Sequence, residues 1–203
     1  MPIWLIVTIV IGLGILVALY FLSKLRQKRS FEAFAKSTSL TLTKYNRPAD
    51  FTLKGEYKGY PVTVSDWTAP QAPDVKKQAK ENWLRVDVPL SNPNQKFLCL
   101  AQGLDTEDWF ELFVQPDTIT FQHDLGDAIA ITASDMWFAS FVLEDDVMAR
   151  AKALFDHAPK ALIAIQGDAL FAILPNTITN TQAWKPIAEA MTFLTDIKNA
   201  LNK

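Results

Sequence analysis

The stretch His123-Asp124-Leu125-Gly126-Asp127 is where residue types and spacing come nearest to a reactive site in this chain. One imidazole and two carboxylates so close together could hold a divalent metal, because nitrogen and oxygen donors of this kind suit such ions. His123, Asp124 and Asp127 would then be the metal ligands of a membrane-bound hydrolase. The same residues also look like a polar hairpin connection in which Gly126 supplies a positive φ. His157 is the only other histidine, and two imidazoles in 203 residues argue against a metal enzyme. A second acidic group, Asp105-Thr106-Glu107-Asp108, precedes Trp109-Phe110 and reads as an acidic turn entering a strand. A carboxylate pair there would need a substrate cleft, and the sequence offers no sign of one.

The remaining chemistry is mostly missing. The lone cysteine, Cys99, lies in the apolar run Phe97-Leu98-Cys99-Leu100 and reads as a small buried hydrophobe rather than a nucleophile. The glycines after residue 30 are Gly55, Gly59, Gly103, Gly126 and Gly167, too scattered to build a phosphate-cradling loop. There is no G-x-S-x-G elbow, no H-E-x-x-H and no C-x-x-C. No residue is assigned a catalytic role, no cofactor is expected, and the chain reads as a non-enzyme.

The elements that would position any site begin with Ile3 to Leu22, a run without a charged side chain that is followed at once by Lys24, Arg26, Lys28 and Arg29. Fourteen of those twenty residues are Leu, Ile, Val or Phe, which favours insertion in lipid by about 4 to 8 kcal/mol. At 1.5 Å rise per residue they make about 30 Å of helix, the thickness of a bilayer core. The sequence therefore predicts a transmembrane anchor over residues 1–23 and a basic juxtamembrane helix over 24–39, with an α+β domain from 40 to 203. Trp4 and Tyr20 stand near the two ends of the span, Gly12 and Gly14 offer close helix approach, and the four cations form a collar. The charge asymmetry puts the short N-terminus outside and the domain in the cytoplasm. A cleaved leader fits less well, because the positive charge follows the apolar run and no A-x-A site comes after it.

Without that anchor and collar the chain carries 16 Lys and Arg against 22 Asp and Glu, a sign that disfavours nucleic acid. Between Lys96 and Arg150 there are eleven acids and no Lys or Arg. Ordinary solvated loops explain that; an acidic face that docks a basic partner or collects cations is the sharper reading. The five tryptophans after residue 30 suit a core, and only Trp67, beside the Pro-rich stretch Trp67 to Glu81, is expected to be exposed. Trp67, Asp105, Glu107 and Asp108 are the candidate partner-binding residues.

Periodicity fills in the domain. Phe31, Phe34 and Ala35 share one helix side, and Ser37 to Ser39 end that helix. Strands are expected from Leu40 and over Phe51 to Tyr57, turning at Lys58-Gly59 into Tyr60 to Val64. Further strands are expected over Trp83 to Val88 and Lys96 to Ala101, joined by Ser91-Asn92-Pro93-Asn94, then over Phe110–Val114, Thr118–Phe121 and Ala128–Thr132. Acids at Glu144-Asp145-Asp146 open a helix with Val147, Met148, Ala151, Leu154 and Phe155 on one face. A hairpin turning at Gly167-Asp168 and a final helix near Lys185 to Leu201 complete a mainly antiparallel α+β domain with a C-terminal helix-hairpin-helix. Subdomains at 40–103 and 104–203 are one way to divide it.

Leu53-Lys54-Gly55-Glu56-Tyr57-Lys58-Gly59, a Phe-x-x-Phe strand at Phe138 and Phe141, and the segment through Asp146 together resemble uncharacterised bacterial membrane-anchored domains of unknown function. Ala139 stands where those proteins carry Asp. The resemblance implies an inner-membrane protein and transfers no catalytic residue. The leading expectation is a non-enzymatic accessory subunit or adaptor whose partners are the lipid bilayer and another protein. The alternatives are the metal-dependent hydrolase and a lipid or small-ligand binding module.

Overall fold

A computed structural model describes residues 3–47, 50–67, 83–91, 95–102, 119–123, 129–175 and 184–201. It begins with a helix, α1 (Ile3–Ser37), followed by strands β1 (Leu40–Arg47), β2 (Asp50–Tyr57), β3 (Tyr60–Trp67), β4 (Trp83–Pro89), β5 (Leu98–Gln102), β6 (Ile119–His123) and β7 (Ile129–Ala133). Helices α2 (Met136–Val142) and α3 (Asp145–His157) come next, then strands β8 (Leu162–Gln166) and β9 (Ala169–Pro175) and the final helix α4 (Trp184–Leu201).

The strands form one sheet in the order β1-β2-β3-β4-β9-β8-β5-β7-β6, and every described pairing is antiparallel. Local turn chemistry explains the two tight hairpins. Lys58 and Gly59 both take positive φ, +51° and +84°, the I′ pattern that matches strand twist. At the β8–β9 turn Gly167 alone is left-handed, at +56°, as a Gly-first turn requires. Gly55 has a different reason: a Cβ there would lie 2.7 Å from the Ser39 carbonyl oxygen, so β1 can approach β2 only over a glycine.

Strand patterns follow the covering of each face. In β2 and β3, Phe51, Leu53, Val62 and Val64 are buried and alternate with partly exposed residues. The inner strands β5, β8 and β9 are apolar almost throughout because both faces are covered. Leu98, Leu100, Ile163, Ile165, Leu170, Ala172 and Leu174 face the helices, where they join the main core. Phe97, Cys99, Leu162, Ala164, Phe171 and Ile173 gather with Trp83 in a second, smaller core on the other face. The predicted apolar face of α3 is buried as expected, and α4 buries Ile187, Met191, Leu194 and Ile197.

Several expectations need correction. The transmembrane anchor is the first: among the described residues no helix is long and apolar enough to cross a membrane. Helix α1 starts at Ile3. The helix then continues without a break through Lys24, Arg26, Lys28 and Arg29 to Ser37, so anchor and collar are one element. The bitopic reading falls with the span. The Phe-x-x-Phe strand is a helix, α2, because Asp135 caps it by accepting a hydrogen bond from the Phe138 amide. Finally, β4 and β5 are not hairpin partners; β9 and β8 lie between them. The expected strand at Phe110–Val114 lies outside the described residues, as does Asn92–Asn94.

Candidate functional site

Two ends of the sheet differ in what they do with aromatic side chains. Register defines the ends. Phe51, Leu84, Leu162 and Ile129 lie toward one end, while Tyr57, Tyr60, Leu170, Leu98 and Ala133 lie toward the other.

At the first end α1 is locked onto the domain. Phe31 is fully buried, with ring centroids 4.4 Å from Phe51, 4.7 Å from Trp184 and 5.4 Å from Tyr45. Phe34 stacks on Trp184 at 4.5 Å, and the Trp184 indole N–H donates to the Ser30 hydroxyl at 2.7 Å. The helix ends where Thr38 turns its own amide and hydroxyl back onto the Phe34 carbonyl. From this junction the N-terminal part of α1 leaves the domain, and its described large side chains are exposed. Leu16 is 65% and Phe21 59% exposed, and Ile11, Leu13, Ile15, Val17, Leu19, Tyr20, Leu22 and Leu25 are exposed with them. Consecutive positions cover every side of a helix, so this shaft is apolar all round. Lys24 lies 4.7 Å from the Tyr20 ring centroid, and Lys28 pairs with Glu32 at 3.8 Å, one turn further on.

At the opposite end α2 and the start of α3 carry a different surface. Lys96 pairs with Asp135, and that ammonium, with the Phe138 amide, holds the Asp135 carboxyl below the usual carboxylate range. Ala139 and Val142 are buried beneath α2, while Met136, Trp137 and Phe141 point outward and Trp137 is 88% exposed. Nearby, Asp196 of α4 takes Lys58 at 3.4 Å and also pairs with Arg150, which reaches Asp146 at 3.7 Å. Tyr57 and Thr192 share a 3.0 Å hydrogen bond that ties the β2–β3 hairpin to α4.

The described residues offer little for catalysis. No group of three or more His, Cys, Asp or Glu could hold a metal among them. His157 sits against Glu189 at 3.0 Å and accepts from Lys185 at 2.7 Å, with its Nδ1 at 2.9 Å from the Ala153 carbonyl. Both ring nitrogens are thus engaged in contacts within the fold. The groove between α3 and α4, lined by Arg150, Leu154, Lys185, Glu189 and Phe193, holds about 280 Å³, just below the roughly 300–1,000 Å³ of small-molecule sites. Cys99 is buried in the second core, and loss of solvation pushes its thiol up to about 12, far from a usable thiolate. Burial likewise raises the Asp87 carboxyl despite Arg85 at 2.8 Å, whose guanidinium lies 4.0 Å above the Phe171 ring.

The sequence-predicted residues disperse. Trp4, Tyr20, Gly12 and Gly14 all lie on α1; Trp4 and Tyr20 are exposed, and a Cβ at either glycine would meet nothing within 4 Å. Lys24, Arg26, Lys28 and Arg29 follow on the same helix. Trp67 is half-buried against the second core. Asp105, Glu107, Asp108, Asp124 and Asp127 lie outside the described residues, and of His123 only the backbone, paired with Ile129, is described. Trp137, which composition assigns to a core, is the most exposed large apolar residue described. No signal in the sequence set it apart from the buried tryptophans, because burial depends on what packs over the helix.

No protein-family model and no curated protein matches the sequence. Among solved structures, the fold is similar to the crystal structure of the mycobacterial trehalose monomycolate transport factor A, TtfA, at a TM-score of 0.57 and 12% identity. The match covers 86% of this chain and 94% of that one. At that identity the likeness establishes a shared fold.

Proposed function

We propose that this chain is a non-enzymatic binding module that associates with lipid through the shaft of α1 and presents its α+β domain to a protein partner. The observation that carries this reading is the all-round exposure of large apolar side chains from Ile11 to Leu25 on a helix whose other end is fixed in the core. So large an apolar surface is uncommon on a protein that works alone in water. Cations at Lys24, Arg26, Lys28 and Arg29 border it, as suits the headgroups of anionic lipid, each contributing about 1 kcal/mol. TtfA, which shares the fold, is described as a trehalose monomycolate transport factor. That description supports a lipid-related role here without specifying the lipid.

Flotation of the purified full chain with phosphatidylcholine–phosphatidylglycerol vesicles tests the reading. The chain is expected to rise with the vesicles. Replacing Leu16, Val17 and Phe21 by Asp should leave it at the bottom. Reversing Lys24, Arg26 and Arg29 to Glu should weaken binding by about a hundredfold. A chain that stays in the aqueous fraction regardless of vesicle charge would refute the proposal.

A further inference from the structure

We infer that the end of the domain opposite α1 is a docking site for a basic amphipathic helix of a second protein, with Trp137 as its anchor. This rests on the reading of the chain as a binding module and names where the protein partner sits.

The first argument is that exposure at α2 is built rather than frayed. The Asp135 side chain accepts from the Phe138 amide at 2.7 Å, Lys96 holds Asp135 in turn, and the Leu143 amide closes the helix onto the Ala139 carbonyl at 2.8 Å. With Ala139 and Val142 buried on one side of the helix, Met136, Trp137 and Phe141 are left exposed to solvent. Trp137 and Phe141 are one turn apart and form a ridge. Ile119, exposed on the edge strand β6, pairs with Ala133 and so adds an apolar side chain at the same end. Tryptophan is the residue most enriched where partner binding energy concentrates.

Charge then selects the occupant. Glu144, Asp145 and Asp146 follow α2 directly and are all exposed. Asp146 reaches Arg150, whereas Glu144 and Asp145 form no ion pair among the described residues. From Phe97 to Ala149 the sequence contains no Lys or Arg at all. An apolar ridge with an acidic border is complementary to an apolar helix face bordered by Lys or Arg. A second copy of this chain fits poorly, because a two-fold contact through the same patch would set acid against acid. Anionic lipid is disfavoured by the same sign, and the α1 shaft leaves the domain from the other end of the sheet.

A photo-reactive benzoylphenylalanine placed at position 137, expressed in cells of the chain's own source, tests the inference. One discrete protein adduct is expected, and the cross-linked peptide should be an apolar helix flanked by Lys or Arg. The charge reversals E144K, D145K and D146K together should reduce the adduct at least about tenfold. No adduct, an adduct of twice the chain's mass, a lipid adduct, an acidic cross-linked peptide, or an adduct indifferent to the reversals would each overturn it.

Because Asp145 and Asp146 also favour the start of α3, a second measurement avoids relying on those variants. The purified chain should bind a synthetic helix of Leu and Lys about tenfold more tightly than its Leu and Glu counterpart, and Trp137→Ala should weaken binding of the Leu and Lys helix by about tenfold. Equal binding of the two peptides refutes the inference. Vesicle flotation of Trp137→Ala should match the parent chain, so failure here and failure of the lipid reading are separable.

Discussion

The two ends of this sheet treat the same kind of side chain in opposite ways. Near α1, Phe31, Phe34 and Trp184 are buried against one another, and a polar atom, the Ser30 hydroxyl, meets the indole N–H. Near α2, Trp137 and Phe141 face solvent, although the helix that carries them is capped and closed. The difference teaches that aromatic content does not distinguish core from contact surface. What separates the two is whether another element of the chain crosses that face: α1 and α4 cross the first end, and no described element crosses Trp137.

Mutations at the two ends should therefore separate stability from binding. Phe31→Ala should have the largest effect, about 3 to 5 kcal/mol lost on unfolding in urea, because a fully buried ring with three aromatic neighbours leaves a cavity. A loss below about 1 kcal/mol would mean that the junction is not part of the cooperative core. Ser30→Ala should cost about 1 to 3 kcal/mol by leaving the buried Trp184 N–H without its acceptor. Restoration by Ser30→Thr would confirm that the hydroxyl is responsible.

Asp135 sharpens the comparison through pH. Its folded-state carboxyl is held low by Lys96 and by the Phe138 amide, so its stabilisation is present above the unfolded carboxylate pKa. It is lost as pH falls through the lower folded value. Urea melts of the parent chain and Asp135→Asn should differ at neutral pH, with the gap closing below about pH 4. A gap that persists in acid would place the contribution elsewhere. Smallest of all, Trp137→Ala should shift stability by no more than about 0.5 kcal/mol, since the side chain is 88% exposed. A large loss would mean that the ridge is structural and would erase the contrast between the ends.

Much of the fold is legible in the sequence because its signals are local. Lys58-Gly59 and Gly167-Asp168 turn where glycine permits left-handed backbone, and the stripe from Val147 to Phe155 predicts which side of α3 is buried. Reading fails where a cap is overlooked, or where the deciding partner is remote in sequence. Phe138 and Phe141 look like strand residues until the Asp135 cap makes them helical. Lys96 to Ala101 looks like the hairpin partner of Trp83 to Val88 until β9 and β8 insert between them. Of the candidate sites, the α1 residues are described as one helix, while the binding acids and Asp124 and Asp127 lie outside the described residues.

By itself the sequence determined an apolar run leading into a cationic stretch, the turns, the helix faces and the antiparallel α+β character, because each depends on neighbours a few residues apart. Tertiary structure alone decided the strand order, the packing of Phe31 and Phe34 against Trp184 and the exposure of Trp137. Those depend on which distant surfaces meet: a side chain's burial is a property of what packs over it, and no local pattern encodes a face that is left uncovered.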